Sequence, residues 1–303
     1  MWPPVFVPLA VAMPVALTYA YGYKLLDYRR DRAALHYILE QFVPHDVVDI
    51  LARNVRQLGR VKETLNVACV MTDVQGYTAL SARLAPEQVA ELLGEYFAAI
   101  FRPVADHGGF VSDLKGDSIL AIWTDPESDP AVRERVCAAA LDLRAAVDRF
   151  NEDHPDSPLP TRIGVHYGPA TLGPVGAPGH YEYRAVGDTV NTSSRVEQLS
   201  KELGTYLLIT DAMAEGLDGM LLRDLGQFQL RGRRGTTRVF ELLARQADAS
   251  PEQIKLSADF EAAVTAYEAG RLDVARAAFA SLLGDFDQDG PSAYYLRRIE
   301  QQA

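Results

Sequence analysis

Cysteine is scarce: among 303 residues only Cys69 and Cys137 occur, without histidines at metal-ligand spacing, which argues against a cysteine-based metal site. One thiol sits in an apolar run and the other on a helical pattern, so buried, reduced thiols and a cytosolic main domain are expected. Positive charge is also in short supply. Thirty Lys and Arg stand against 41 Asp and Glu, a net charge of −11, and such a surface opposes sequence-blind binding to a phosphate backbone. No nucleic-acid partner is expected, although a local basic pocket for a small polyanion stays compatible. With 48% apolar residues the chain can bury one sizeable core and carry smaller appendages, which excludes general disorder.

Charge is absent altogether from Trp2 to Tyr23, and Lys24, Arg29, Arg30 and Arg32 follow at once. A helix of that length crosses the hydrocarbon of a bilayer, and the flanking cations place its C-terminal side in the cytoplasm. Trp2, Tyr19, Tyr21 and Tyr23 stand near its ends, where interfacial rings are favoured. Residues 1–24 are therefore expected to be a transmembrane segment, anchoring a single-pass protein of the inner (cell) membrane. A cleaved signal peptide and a buried edge helix are the alternatives, the first opposed by the order of the charges. Pro8 and Pro14 would kink the helix.

Residues 25–64 read as a helical connector, with Leu35, Ile38, Leu39 and Phe42 at helical spacing before Pro44. Residues 65–245 form the main domain. Leu65 to Met71 is a nearly unbroken apolar run, as in a strand buried on both faces, and it leads to Asp73. A helix over Pro86–Val104, strands over Gly109–Leu114 and Ser118–Trp123, a helix over Ala131–Phe150 and a strand over Thr161–Tyr167 complete a split ferredoxin-like βαββαβ order. Beyond it, Tyr181–Ala185 reads as strand, Asp188–Leu203 as helix, Tyr206–Ile209 as strand and Leu225–Leu243 as a hairpin. In residues 250–303, Phe260, Ala263, Tyr267, Leu272, Ala275, Ala278 and Phe279 mark two helices turned at Gly270. That tail resembles one tetratricopeptide-type helical pair, which cannot bury its own face and needs a surface to dock on. The fold class is thus α+β, a ferredoxin-like, palm-type domain with a membrane helix before it and a helical pair after it.

Asp73 closes a buried strand and Asp117 lies on a hairpin turn that the fold order brings beside it. Two readings stand on spacing alone. The carboxylates could meet and hold hard divalent cations against phosphate oxygens, or each could serve its own turn, as aspartates often do. After Asp73, the stretch Val74, Gln75, Gly76, Tyr77, Thr78 turns into a helix, and free backbone donors at Gly76, Tyr77 and Thr78 suit phosphate.

Three ordered segments go further: TDVQGYTAL (72–80), KGDSILAIW (115–123) and AVGDTVNTSSRVE (185–197). They resemble the metal, second-metal and transition-state segments of class III adenylyl and guanylyl cyclases of the bacterial membrane-associated type. The resemblance runs from Leu65 to Leu243. It implies that Asp73 and Asp117 bind two divalent ions, magnesium or manganese, with the backbone carbonyl of Val74 as a further ligand. It implies that Asn191 and Arg195 orient the ribose and stabilise charge on the reacting phosphate; their four-residue spacing puts them on one helical face. Arg233, in LRGRRG, falls where the family has a lysine on the triphosphate, and Arg231 is a weaker candidate. The resemblance also implies a homodimer with shared interfacial sites, in which a nucleoside triphosphate becomes a 3′,5′-cyclic nucleotide and pyrophosphate.

The base-reading positions depart from an adenylyl cyclase. Where that family has a lysine and an aspartate or threonine, this chain has Asp113 and Arg184. Adenine offers an acceptor at N1 and donors at N6, so exchanging the charges suits guanine, and uracil has a similar edge. Alternatively Asp113 and Arg184 pair with each other and leave the base to backbone or other contacts, and Lys115 would need a shifted hairpin to replace the missing lysine. ATP follows from family frequency, GTP from hydrogen bonding, UTP or CTP from pyrimidine-cyclising relatives. The competing function is a catalytically silent nucleotide receptor signalling through its tail. A diguanylate cyclase is disfavoured, because KGDS stands where that family's Gly-Gly-acidic-acidic-Phe signature would be.

Overall fold

The computed structural model describes residues 62–303 apart from 126, 178, 179, 234 and 303, and before them only Met13, Thr18, Tyr19, Tyr21, Tyr23 and Lys24, which are helical. Two units are distinguished, Met1–Val61 and Lys62–Ala303, and every element below belongs to the second. Most of the expected transmembrane segment and almost all of the connector lie outside the described residues. Among the described residues, no helix is long and apolar enough to cross a membrane.

Strand β1 (Glu63–Val74) is followed by the short helix α1 (Tyr77–Ser81), α2 (Pro86–Asp106), β2 (Phe110–Lys115), β3 (Ser118–Asp125), α3 (Pro130–Asp153) and β4 (Thr161–Ala177). Then come β5 (His180–Val186), α4 (Asp188–Leu203), β6 (Leu207–Thr210), α5 (Asp211–Ala214), β7 (Met220–Phe228) and β8 (Thr237–Arg245). The sheet order is β2-β3-β1-β4-β6-β8-β7, with β5 paired to the outer half of β4. Strand β3 runs antiparallel between β2 and β1, and β1 runs antiparallel between β3 and β4. That is the expected split arrangement, in which each crossover helix joins parallel strands with a third between them.

The apolar run of β1 serves both faces. Ala68 and Val70 join Ile119, Ala121, Trp123, Ile163 and Val165 beneath Tyr96 and Ile100 of α2 and Val136, Leu143 and Val147 of α3. Val67 and Cys69 point the other way, onto Leu120, Ile122, Ala170, Leu172 and Ala185, as the two-residue period of a strand requires. Burial pushes the thiols of Cys69 and Cys137 up to about 12, and both are free, so they act as small apolar core groups. Helix α3 starts where Asp129 accepts from the amide of Ala131 and Pro130 occupies the first turn.

The tail differs from the expected pair. It holds three helices, α6 (Pro251–Glu268), α7 (Leu272–Asp285) and α8 (Gly290–Glu300). Gly270 does turn the first into the second at φ +72°. The third helix supplies Tyr295 and Ile299 to a core shared with Val196, Leu199 and Leu203 of α4 and Leu225 and Phe228 of β7. The tail therefore buries its apolar face on the sheet domain.

Candidate active site

Asp73 stands next to last in β1, and the chain after it turns at Gly76, whose φ of +76° favours glycine. The amide of Gln75 donates to the Pro160 carbonyl at 2.8 Å, pinning that turn to the start of β4. Helix α1 opens directly after Gly76, with Tyr77 and Thr78 in its only full turn. Gly116, at φ +61°, makes the tight β2–β3 turn that carries Asp117. Oδ2 of Asp117 accepts from the amide of Val74 at 3.2 Å, and the Ser118 hydroxyl donates to Oδ1 of Asp73 at 3.3 Å. Each carboxylate is thus bonded to a neighbour of the other. Burial raises the Asp117 pKa from its ordinary value, and the charge of Asp73 adds to the rise.

Arg162 and Glu197 join this pair, although nothing in the motif reading pointed to them. Arg162 donates from Nη2 to Asp73 at 2.7 Å and from Nε to Glu197 at 3.0 Å. Glu197 is buried on α4, and desolvation, with the charge of Asp73, moves its pKa up to about 7. The signal was available: a lone arginine beginning an apolar strand requires an acidic partner in the fold.

The two carboxylates and the Val74 carbonyl are hard oxygen donors of the kind magnesium and manganese accept. Among the described residues, no cluster of three or more His, Cys, Asp or Glu could hold a metal by itself. The pair fits a site in which phosphate oxygens complete the coordination, and the repulsion between its members would be relieved by a cation.

Asn191 and Arg195 lie on α4, Asn191 exposed and Arg195 half-buried. Helix α4 begins at Asp188, whose carboxylate lies 3.6 Å from Arg195 Nη1 and 3.8 Å from Arg233 Nε. Two arginines from distant segments therefore converge on one exposed anionic group. Arg233 also donates to the Thr237 hydroxyl at 3.4 Å, and Arg231 is exposed in the same turn. Among the described residues, no hydrogen bond or ion pair joins Asp73 or Asp117 to Asn191, Arg195 or Arg233.

Asp113 and Arg184 do meet. Arg184 Nη2 donates to Asp113 Oδ2, its Nη1 lies 3.2 Å from Glu182, and Lys115 Nζ lies 3.3 Å from the same Asp113 oxygen. A register shift between Val111 and Asp113 inserts Ser112 as an extra residue in β2, and bulges of this kind re-aim side chains. Asp113 and Lys115 line, with Ser118, Val190, Asn191 and Ser194, a cavity of about 240 Å³. Lys115 thus shares a cavity with both Asp113 and Asn191, which its position two residues before Asp117 did not suggest.

Residues 60–244 match the family model described as the adenylate and guanylate cyclase catalytic domain. The chain is 35% identical over 189 residues to adenylate cyclase 1 of Rhizobium meliloti (strain 1021), covering 61% of this chain and 28% of that protein. It is 30% identical over 189 residues to an adenylate cyclase of Anabaena cylindrica, covering 59% of this chain and 36% of that one. It thus spans about a third of the length of these curated relatives. Among solved structures, the adenylyl cyclase CyaB from P. aeruginosa superposes with a TM-score of 0.57 at 21% identity, over 63% of this chain and 100% of that one. The guanylyl cyclase Cya2 superposes with a TM-score of 0.56 at 22% identity, over 62% of this chain and 96% of that one. The match to the catalytic-domain model extends over more than half of the sequence and takes in every candidate site residue, so the chain belongs to the adenylate and guanylate cyclase family.

Proposed function

We propose that the chain is a nucleotide cyclase that closes a nucleoside triphosphate into a 3′,5′-cyclic nucleotide and releases pyrophosphate. The observation that carries this reading is that Asp117 accepts from the amide of Val74 and Asp73 from the hydroxyl of Ser118, which draws the β2–β3 turn to the end of β1 and brings the two carboxylates near each other. Two divalent ions on Asp73, Asp117 and the Val74 carbonyl would lower the pKa of the ribose 3′-hydroxyl and offset phosphate charge. Gly76, Tyr77 and Thr78 would hold phosphate oxygens through their amides. Asn191 would orient the ribose so that its 3′-oxygen faces the α-phosphorus in line with the departing pyrophosphate. Arg195 and Arg233, which already share Asp188, would move onto the triphosphate, whose charge exceeds that of one carboxylate. Loss of one such transition-state donor costs roughly 10²–10³ in rate.

A homodimer is part of the proposal. Among the described residues no hydrogen bond or ion pair joins Asp73 or Asp117 to Asn191 or Arg195, and a two-fold pair would set each group against the other's complement. The base is read at Asp113 and Arg184, which act as a joined carboxylate–guanidinium unit. Its charge order, opposite to the lysine and acceptor that read adenine, favours the donor-beside-acceptor edge of guanine. The charge-free stretch from Trp2 to Tyr23 supports a membrane tether with the catalytic domain on the cytoplasmic side.

The test is incubation of the purified chain with manganese or magnesium and each of the four nucleoside triphosphates, following pyrophosphate and cyclic product. Turnover of one nucleotide supports the proposal and names the base. Nucleotide binding without pyrophosphate from any of the four would leave the silent receptor instead.

A further inference from the structure

Helix α4 is held at three places. Its N-terminal half carries Asn191 and Arg195. At its middle, Glu197 reaches Asp73 through Arg162. Its backbone lies directly on β4 at Gly164, where an added Cβ would stand 2.2 Å from the Glu197 nitrogen and 2.4 Å from the Ser193 oxygen. Its C-terminal end meets the tail. Leu199 and Leu203 share a core with Phe260, Phe279 and Tyr295, and a Cβ on Gly290 would stand 2.3 Å from the Leu203 oxygen. The first residue of α8 therefore abuts the last turn of α4, with space for glycine alone.

A polar chain reinforces this contact. Asp289, the cap of α8, accepts from Ser292 at 3.0 Å and from Arg223 Nη1 at 2.6 Å. Arg223 is almost wholly buried, lies over the Phe260 ring at 4.8 Å and donates from Nη2 to Glu241. The other oxygen of Glu241 accepts from the hydroxyl of Thr205, two residues beyond α4. Four side chains thus run from the tail, through β7 and β8, to the end of the helix that carries the candidate transition-state residues. Buried charges of this kind hold one geometry, because removing a member leaves its partner unpaired away from water. The family match ends at residue 244, so Asp289 and the tail lie outside it.

We propose that α6–α8 brace α4, and that Asp289, acting through Arg223 and Glu241, is a positioning residue that fixes how α4 presents Asn191 and Arg195. The inference rests on the cyclase reading for its effect on turnover, and on geometry alone for its effect on α4.

The experiment compares full-length wild type with Asp289→Ala, Asp289→Asn and a control, Val136→Ala, which loosens the core under α3 on the other side of the sheet. Thermal melting establishes that all are folded at the assay temperature. Amide hydrogen exchange over residues 193–203 is then read without nucleotide, and kcat and KM with it. Both Asp289 variants are expected to exchange about 10-fold faster across α4 or more. They should lose about 10-fold in kcat with KM within about twofold, as for an interaction made in the transition state. Asp289→Asn keeps a capping side chain and removes the charge, so its agreement with Asp289→Ala assigns the effect to the ion pair. Val136→Ala should lower the melting temperature while sparing α4 exchange and kcat. Unchanged α4 exchange in the Asp289 variants, or equal acceleration in Val136→Ala, would overturn the brace. Absence of turnover in wild type would remove the cyclase reading instead, while the exchange comparison still decides the brace.

Discussion

The amide of Val74 donates to Oδ2 of Asp117 at 3.2 Å, tying the residue after one candidate metal ligand to the side chain of the other. Val74 and Asp117 stand 43 residues apart in the chain, and this bond, with that from Ser118 to Asp73, ties the two aspartate-bearing segments together.

Asp73→Ala should reduce turnover by about 10³-fold or more, since it removes one of two anionic ligands. The fold should persist, because Asp73 is 37% exposed at its side chain and Arg162 keeps Glu197 as a partner. Circular dichroism and melting report the fold, and product formation reports the site. Full activity in this variant would refute the metal role.

Mixing Asp73→Ala chains with Arg195→Ala chains should restore part of the activity that each lacks alone. A mixed dimer would pair the intact aspartates of one chain with the intact Asn191 and Arg195 of the other. Mixed dimers detected by differential tagging, yet inactive, would count against shared sites.

The double exchange Asp113→Lys with Arg184→Asp restores the charge order that reads adenine. The ratio of kcat/KM for ATP to that for GTP should rise by about tenfold or more. No shift in the ratio across the four nucleotides would remove this pair from base reading.

His166 gives a pH dependence of known sign. Burial, with the charge of Arg233, lowers its pKa from 6.5 to about 4, and Thr210 lies 2.8 Å from its Nδ1. The unfolded chain binds the proton more tightly, so the stability from neutral His166 is complete above 6.5 and is lost as pH falls toward 4. The contribution is at most about 3 kcal/mol. Glu197, raised to about 7, works in the opposite sense: its stability is complete below 4.5 and is lost as pH rises toward 7. Denaturant melts of wild type and His166→Gln should therefore diverge between pH 6.5 and 4, with the variant less acid-sensitive. Parallel curves would reject the assignment.

Local chemistry made much of this legible. Asp188–Leu203 was readable as a helix to the residue, and β1 as a doubly buried strand, because periodicity and apolar runs are properties of adjacent residues. Strand β4 was readable only to Tyr167, since Gly168, Pro169, Gly173 and Pro174 carry turn chemistry; pairing of Pro169 with Asn66 and Pro174 with Tyr183 continues it to Ala177. Helix α8 had its start signal in Asp289 and Pro291, but only packing on α4 and β7 shows why it is needed. Arg162 was the least visible, because its partners stand 89 and 35 residues away. For Asp113 and Arg184 the sequence leaves two alternatives, base reading or a mutual ion pair, and the fold shows the ion pair.

Strand β5 stands off the main strand path and pairs only with the outer half of β4, from Thr171 opposite Val186 to Ala177 opposite His180. It carries Arg184 but none of Asp73, Asp117, Asn191 or Arg195. On the proposed reading, grafting this one ribbon together with the facing bulge at Ser112 would change the nucleobase accepted while leaving the residues proposed for the phosphates in place.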